Sequence, residues 1–224
     1  MKLYFHPASS TSRMVQMFAV DQGIDLDYQV VDLFTGAHLK PEFSAINPSR
    51  MVPVLEDGDF RLTESSAILK YLADKVGSHA YPKDLKARAR VHEMMDWLNS
   101  NLYKDFGYGL IYPQLFPHHK RPSDEVHAGS IEWGRQRARD WLKVLDESLI
   151  GPKRAFLCGD WITLADYLGA EILCIGDIVR CNFSEYPNIE RWLRNMKALK
   201  GWAKVHEAAD GYAASLKDKS FVTI

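Results

Sequence analysis

The stretch from Arg50 to Tyr71, RMVPVLEDGDFRLTESSAILKY, restricts the possible folds of this chain more than any other. Val52-Pro53-Val54-Leu55 reads as an apolar strand entered through a proline, where the missing N–H does least harm. Glu56-Asp57-Gly58-Asp59 carries the Asp-Gly signal of a hairpin, and Phe60-Arg61-Leu62 returns as a short strand. Thr63-Glu64-Ser65-Ser66 then opens a helix whose Ala67, Ile68, Tyr71 and Leu72 share one face. A helix N-terminus offers unpaired N–H groups and a partial positive charge, so Ser65 is a socket for a carboxylate or phosphate. A cis bond before Pro53 would turn the Val52 carbonyl and N–H toward a ligand. The two features together suit a small peptide with a free carboxylate; the plainer reading is a hairpin followed by a capped helix.

The upstream segment supplies a matching unit. Lys2 to His6 is expected as a strand and Pro7 to Thr11 as a turn of small polar residues. Ser12 to Gln22 reads as a helix with Met14, Val15, Phe18 and Ala19 on its apolar face, capped by Ser12 and ended by Gly23. Leu26 to Val31 is a second strand, so a right-handed crossover joins a parallel pair. Asp32 to Asn47 is broken by Gly36 and Pro41 and holds at most a short helical turn near Glu42 to Ala45. The order β-α-β, linker, β-β-α is that of a thioredoxin-like α/β domain. In such a sheet ligands collect at strand and helix ends, which brings Ser9, Val52 and Ser65 together.

Gly77 to Asp84 is the best linker, and beyond it strand signals almost vanish. The division expected is residues 1–78 as the α/β domain and 85–224 as an all-α helical bundle. Leu85 to Leu115 is a long helix softly broken by Gly107 and Gly109. Asp124 to Leu149 is another, and further helices start near Tyr186 and Gly201 before an irregular tail, KDKSFVTI. Thr163 and Asp166 are placed for a capping box, with Ile162 and Tyr167 as its hydrophobic staple, and are read as folding residues.

Composition narrows the class of function. A net charge of −1 gives no broad electrostatic case for nucleic acid or an anionic membrane. No apolar run reaches spanning length and no leader-like stretch opens the chain, so a cytoplasmic location is expected. Cys158, Cys174 and Cys181 form neither a disulfide framework nor a paired-thiol motif. His118-His119, the one adjacent histidine pair, reads as a solvated loop, and no metal site is expected.

Taken in order, several motifs resemble the cytosolic glutathione transferases of delta/theta type. These are Lys2-Leu3-Tyr4-Phe5-His6-Pro7-Ala8-Ser9-Ser10-Thr11-Ser12-Arg13, His38-Leu39-Lys40-Pro41-Glu42-Phe43, Ile46-Asn47-Pro48, Arg50-Met51-Val52-Pro53 and Thr63-Glu64-Ser65-Ser66-Ala67-Ile68. The likeness reappears in Tyr112-Pro113-Gln114-Leu115-Phe116 and in the capped Ile162–Tyr167 segment. It implies a transferase that joins the thiolate of glutathione, a co-substrate, to a small hydrophobic electrophile without a metal, as a homodimer. A free thiol near pKa 8.5 is mostly protonated at neutral pH, so such an enzyme must stabilise the anion. The resemblance implies Ser9, four residues before Arg13, as the activating hydroxyl, with Ser10 as runner-up. It implies Glu64 for the γ-glutamyl ammonium and Ser65 for its carboxylate through hydroxyl and N–H, with Ser66 a further glutathione-binding residue. Val52 would pair its backbone with the cysteinyl unit, held out by a cis Pro53, His38 and Arg50 would approach the glycyl carboxylate, and Met51 is counted among the glutathione-binding residues. Tyr108, Ile111, Tyr112, Leu115 and Phe116 would line the electrophile pocket. Position 50 holds Arg where many relatives place His or Gln, and position 66 holds Ser where delta members often place Arg.

Other readings stay open at this point. Ser9-Ser10-Thr11-Ser12 also resembles the turn of maleylacetoacetate isomerases, although Gln16 stands where that pattern carries arginine. Glutathione-dependent dehalogenation or reduction, or a non-catalytic protein-binding module on the same fold, would use the same scaffold. Enzyme and binding module separate on whether bound glutathione ionises.

Overall fold

The computed structural model describes all 224 residues. The N-terminal layer is a four-stranded sheet in the order β2-β1-β3-β4, built from β1 (Lys2–Phe5), β2 (Asp27–Val30), β3 (Val54–Asp57) and β4 (Phe60–Leu62). β1 runs parallel to β2 through the crossover helix α1 (Ser10–Asp21), and antiparallel to β3, which turns back on β4. Leu3 lies opposite Leu55, and because side chains alternate along a strand both enter the main core with Phe5. α1 and α3 (Ser65–Val76) cover that face with Met14, Val15, Phe18, Ile68, Leu69 and Leu72. The opposite face carries Val54 and Tyr4, packed with Val31, Val52 and Phe43 of the short helix α2 (Pro41–Ser44).

A helical domain follows the thioredoxin-like one. α4 (Leu85–Trp97) runs on through loosely wound π-type turns, Leu98–Ile111, into α5 (Tyr112–Leu115). The soft break expected at Gly107 and Gly109 does not occur. α6 (Asp124–Val144) crosses there so closely that a Cβ on Gly134 would lie 2.4 Å from the Gly109 carbonyl carbon. The glycines permit backbone-to-backbone contact and leave the helix intact. α7 (Leu164–Cys174) is buried along its whole length, at the centre of the molecule. It packs on α1 through an edge-to-face pair of Phe18 and Tyr167, centroids 5.3 Å apart. α8 (Pro187–Lys197) and α9 (Trp202–Ser215) complete the bundle. One apolar core runs without interruption from the sheet into these helices. No helix is long and apolar enough to cross a membrane.

The capping box forms as expected, and Asp166 does more than cap. Its fully buried carboxylate accepts from Thr163 N (2.7 Å), Thr163 Oγ1 (2.9 Å), Leu157 N (2.8 Å) and Trp192 Nε1 (2.9 Å). It therefore ties the start of α7 to a preceding loop and to α8. The tail has no regular structure, yet it is held: Val222 and the Gln114 side chain exchange bonds of 2.8 and 3.0 Å, and Asn182 N donates to Ile224 O.

Candidate functional site

The serine turn between β1 and α1 is fixed by hydrogen bonds that pattern alone does not reveal. α1 begins two residues earlier than its apolar spacing suggests, and Ser9, not Ser12, is the N-cap, accepting from Ser12 N at 3.4 Å. Ser12 is buried, and its hydroxyl accepts instead from His6 N at 3.3 Å. Ser9 N donates to His6 O (3.0 Å), and Ala8 N to His6 Nδ1 (3.2 Å). Thr11 donates its hydroxyl proton to Val52 O at 2.9 Å, which joins this turn to the loop before β3. Ser9 Oγ and Thr11 Oγ1 are 2.9 Å apart, and since the Thr11 proton is engaged, Ser9 is the donor between them.

The segment before β3 has the expected form. The Val52–Pro53 bond is cis, and the Val52 N–H has no partner, while its carbonyl keeps one lone pair beyond the bond from Thr11. Met51 is exposed, and its carbonyl accepts from Asn47 Nδ2 at 2.8 Å. Arg50 is also exposed, with φ +56° and no side-chain partner. Glu64 precedes α3 with φ +64° and ψ 112°, a conformation sparsely populated by residues with a Cβ and concentrated at functional sites. The N–H groups of Ser65 and Ser66, in the first turn of α3, are unpaired, and both residues are half-buried. This is an anion socket beside an exposed carboxylate.

The second domain faces this edge with hydroxyls and rings. Ser10 is buried, its Oγ 3.4 Å from Tyr112 Oη and 3.5 Å from Tyr103 Oη, and the two phenols are 2.6 Å apart. Burial raises all three tyrosine hydroxyls, at 103, 108 and 112, above the usual phenol range, so they remain protonated donors at neutral pH. For Tyr108 the charge of Glu64, across the cleft, adds to that effect. Tyr108, Tyr112, Phe116 and His119 form a contiguous wall with ring centroids 5.0–6.3 Å apart, and Leu115 is half-buried on the same turn.

Two expectations need correction. Ile111 is fully enclosed in the main core, because the π-type turns rotate it toward the bundle, so it offers a ligand no surface. The His118-His119 loop is not merely solvated: His119 packs on Tyr108 and Tyr112 at 5.6 and 5.8 Å. Burial, with a smaller contribution from His118, lowers the pKa of His38, whose Nδ1 is buried without a partner. Thr11, Tyr103 and His119 are the site residues that sequence reasoning missed. Thr11 and Tyr103 meet the site through contacts 41 and 93 positions away, to Val52 and Ser10, and His119 through the fold of its loop back onto Tyr108 and Tyr112. The three cysteines are free, and burial pushes their thiols up, Cys158 to about 11, so none supplies a thiolate.

His6 makes the turn sensitive to pH. Its Nδ1 accepts from Ala8 N–H, so the ring proton sits on Nε2, 3.9 Å from Asp32 Oδ1. Burial lowers its pKa below 6.5, against the opposing charge of Asp32 and with help from His38. Below pH 6.5 the unfolded chain takes up this proton before the folded one, so the stabilisation present above that value is lost as pH falls. The melting temperature of the wild type should fall more steeply than that of His6→Asn between about pH 6.5 and 5. Parallel curves would show that His6 does not titrate on unfolding.

Comparison with known proteins places these features in context. Residues 8–75 match the family model for the glutathione S-transferase N-terminal domain, and residues 115–200 that for its C-terminal domain. Glutathione S-transferase theta-2 of Rattus norvegicus is 37% identical over 211 residues, covering 93% of this chain and 85% of the relative. Among solved structures, a delta-class glutathione transferase of Nilaparvata lugens superposes with a TM-score of 0.80 at 35% identity, covering 96% of this chain and 98% of that one. A human theta-class glutathione transferase, in complex with the glutathione conjugate of 1-menaphthyl sulfate, gives a TM-score of 0.83 at 35% identity, covering 96% and 87%.

Proposed function

Because this chain belongs to the glutathione S-transferase family, we propose that it joins the thiolate of glutathione to a small hydrophobic electrophile. The observation that carries this reading is the convergence of a serine hydroxyl at a helix N-terminus, an unpaired backbone edge at Val52 and the free N–H groups of α3. In this reading residues 1–78 hold glutathione and residues 85–224 supply the electrophile wall. The Val52 N–H and carbonyl pair with the cysteinyl unit beside Pro53. Glu64 meets the γ-glutamyl ammonium, and Ser65 and Ser66 its carboxylate. His38 and Arg50 approach the glycyl carboxylate. The sulfur then lies near Ser9, where a hydroxyl donor and the positive end of α1 favour S⁻. Tyr108, Tyr112, Leu115 and Phe116 shape the pocket for the second substrate, and alignment of the two reactants supplies much of the remaining rate effect. We read the enzyme as a cytoplasmic homodimer that needs no metal.

The experiment is an ultraviolet titration of the thiolate absorbance of glutathione bound to the wild-type protein. The expected result is a thiol pKa below the free value of about 8.5. Glutathione that binds without ionising would favour the protein-binding reading of the fold.

A further inference from the structure

Three charged or ionisable side chains meet at the core between the two domains, each from a different helix. Arg13 of α1 is 1% exposed, Glu171 of α7 is 0% and His206 of α9 is 4%. Arg13 Nε donates to Glu171 Oε2 at 2.8 Å. The other carboxylate oxygen, Oε1, lies 3.0 Å from His206 Nε2, a contact not aligned as a hydrogen bond. His206 is itself held: its ring stacks on Trp202 at 3.8 Å, and its Nδ1 lies 2.9 Å from the Trp202 carbonyl. Burial disfavours the Glu171 anion, but the charges of Arg13 and His206 outweigh it and hold the carboxyl below the usual range.

Buried ion pairs are weak contributors to stability, because desolvation offsets their attraction. This one has a second connection. The same guanidinium that binds Glu171 donates from Nη1 to the Ala8 carbonyl at 2.8 Å. Ala8 directly precedes Ser9, and its peptide sets where the Ser9 hydroxyl points. On the other side, His6 holds Ala8 N and Ser9 N. The serine turn is thus gripped from within its own domain by His6 and from the helical domain by Glu171 through Arg13.

We propose that Glu171 is a positioning residue for thiol activation: it fixes Arg13, and Arg13 fixes the Ala8–Ser9 peptide. Glu171 touches neither glutathione nor the electrophile. His206 closes the far side of the carboxylate and keeps it aimed at Arg13. The inference rests on the reading of Ser9 as the hydroxyl that stabilises the thiolate.

Glu171→Gln tests it, because the amide keeps the shape of the side chain but removes the charge that holds the guanidinium, leaving Arg13 a weaker neutral acceptor in place of its charge-assisted bond. Measured on the intact protein, kcat at neutral pH should fall about 10-fold, as expected when a reacting group is displaced by a fraction of an ångström. The thiol pKa of bound glutathione should rise by about one unit, the same factor of ten, with KM for glutathione within about twofold. KM is spared because the grip at Val52 and α3 is untouched. A purely electrostatic role predicts the opposite, since an Arg13 charge without its counter-ion would lower the thiol pKa. A purely structural role predicts a lower melting temperature with an unchanged thiol pKa. Either result overturns the proposal.

Arg13→Lys guards against a Glu171→Gln variant that does not fold. A lysine can pair with Glu171 but cannot hold the Ala8 carbonyl at the same time in the fork geometry of arginine. It should raise the thiol pKa in the same way, and a wild-type pKa in this variant also overturns the inference. If the wild type itself fails to ionise glutathione, it is the transferase reading that falls.

Discussion

Asp166→Ala should be the most destabilising single change outside the apolar core, at about 4 kcal/mol, because it strands buried donors that have no other acceptor. The carboxylate takes four hydrogen bonds, from Thr163 N, Thr163 Oγ1, Leu157 N and Trp192 Nε1. An ordinary N-cap is worth about 0.5–2 kcal/mol, so this residue exceeds a cap by the bonds to the loop and to α8. Burial pushes its carboxyl up to about 6, against the four donated bonds, which still leaves it ionised at neutral pH. That is the form the donors require. For a chain of this size the loss corresponds to roughly 8–16 °C in melting temperature, readable by calorimetry. Asp166→Asn is the sharper variant, since its NH₂ must face donors, and it should be nearly as costly. A melting temperature within a few degrees of wild type for both variants would show that the loop and α8 relax to satisfy themselves.

Ser9→Ala should have the largest effect on catalysis, about 100-fold in kcat/KM, the usual scale for removing one donor from a reacting anion. The thiol pKa of bound glutathione should rise by about two units, the equivalent factor. In the free site the Ser9 proton rests on Thr11, whose own proton is held by the Val52 carbonyl. Turning that proton to sulfur breaks only the bond to Thr11, so the donor is ready with little reorganisation. Ser9 also caps α1, and alanine at a cap costs stability, whereas glycine costs only a few tenths of a kcal/mol. Ser9→Gly therefore separates the roles: it should melt near wild type and still lose the thiolate. If both variants ionise glutathione as the wild type does, the donor is Ser10, which stands 3.4 Å from Tyr112 and 3.5 Å from Tyr103.

What could be read from the sequence was what local chemistry determines. The hairpin at Asp57–Gly58 and the helix opening at Ser65 each depend on residues within a few positions of one another, and the crossover between β1 and β2 follows from the order strand, helix, strand; each formed. The start of α1 was ambiguous for a physical reason. Ser9, Ser10, Thr11 and Ser12 are all competent caps, and the choice is made by Ser12 turning back to His6. Gly109 misled because a glycine signals weak helix propensity and equally a close crossing, and only the partner at Gly134 decides; Gly107 makes room for the Tyr103 ring and Ile175. The Glu171 link to Arg13 spans 158 positions, beyond any local pattern. Tyr103 was missed for the same reason, since it reaches Ser10 from 93 positions away, whereas the packing of His119 on Tyr108 and the burial of Ile111 depend on how the π-type turns and the loop after them are wound.

The contact of Gly109 with Gly134 bears on how a chain like this could change its diet of electrophiles. Where two backbones touch, the wall that carries Tyr108 and Tyr112 has no room to slide or tilt toward α6. New substrate shapes would then have to be met by exchanging side chains along the inner surface, or by reshaping the loop that carries His118 and His119. In a selection experiment for altered preference, accepted changes should cluster at those positions and leave 109 and 134 as glycine. The crossing would act as a fixed hinge pin around which the pocket is redecorated.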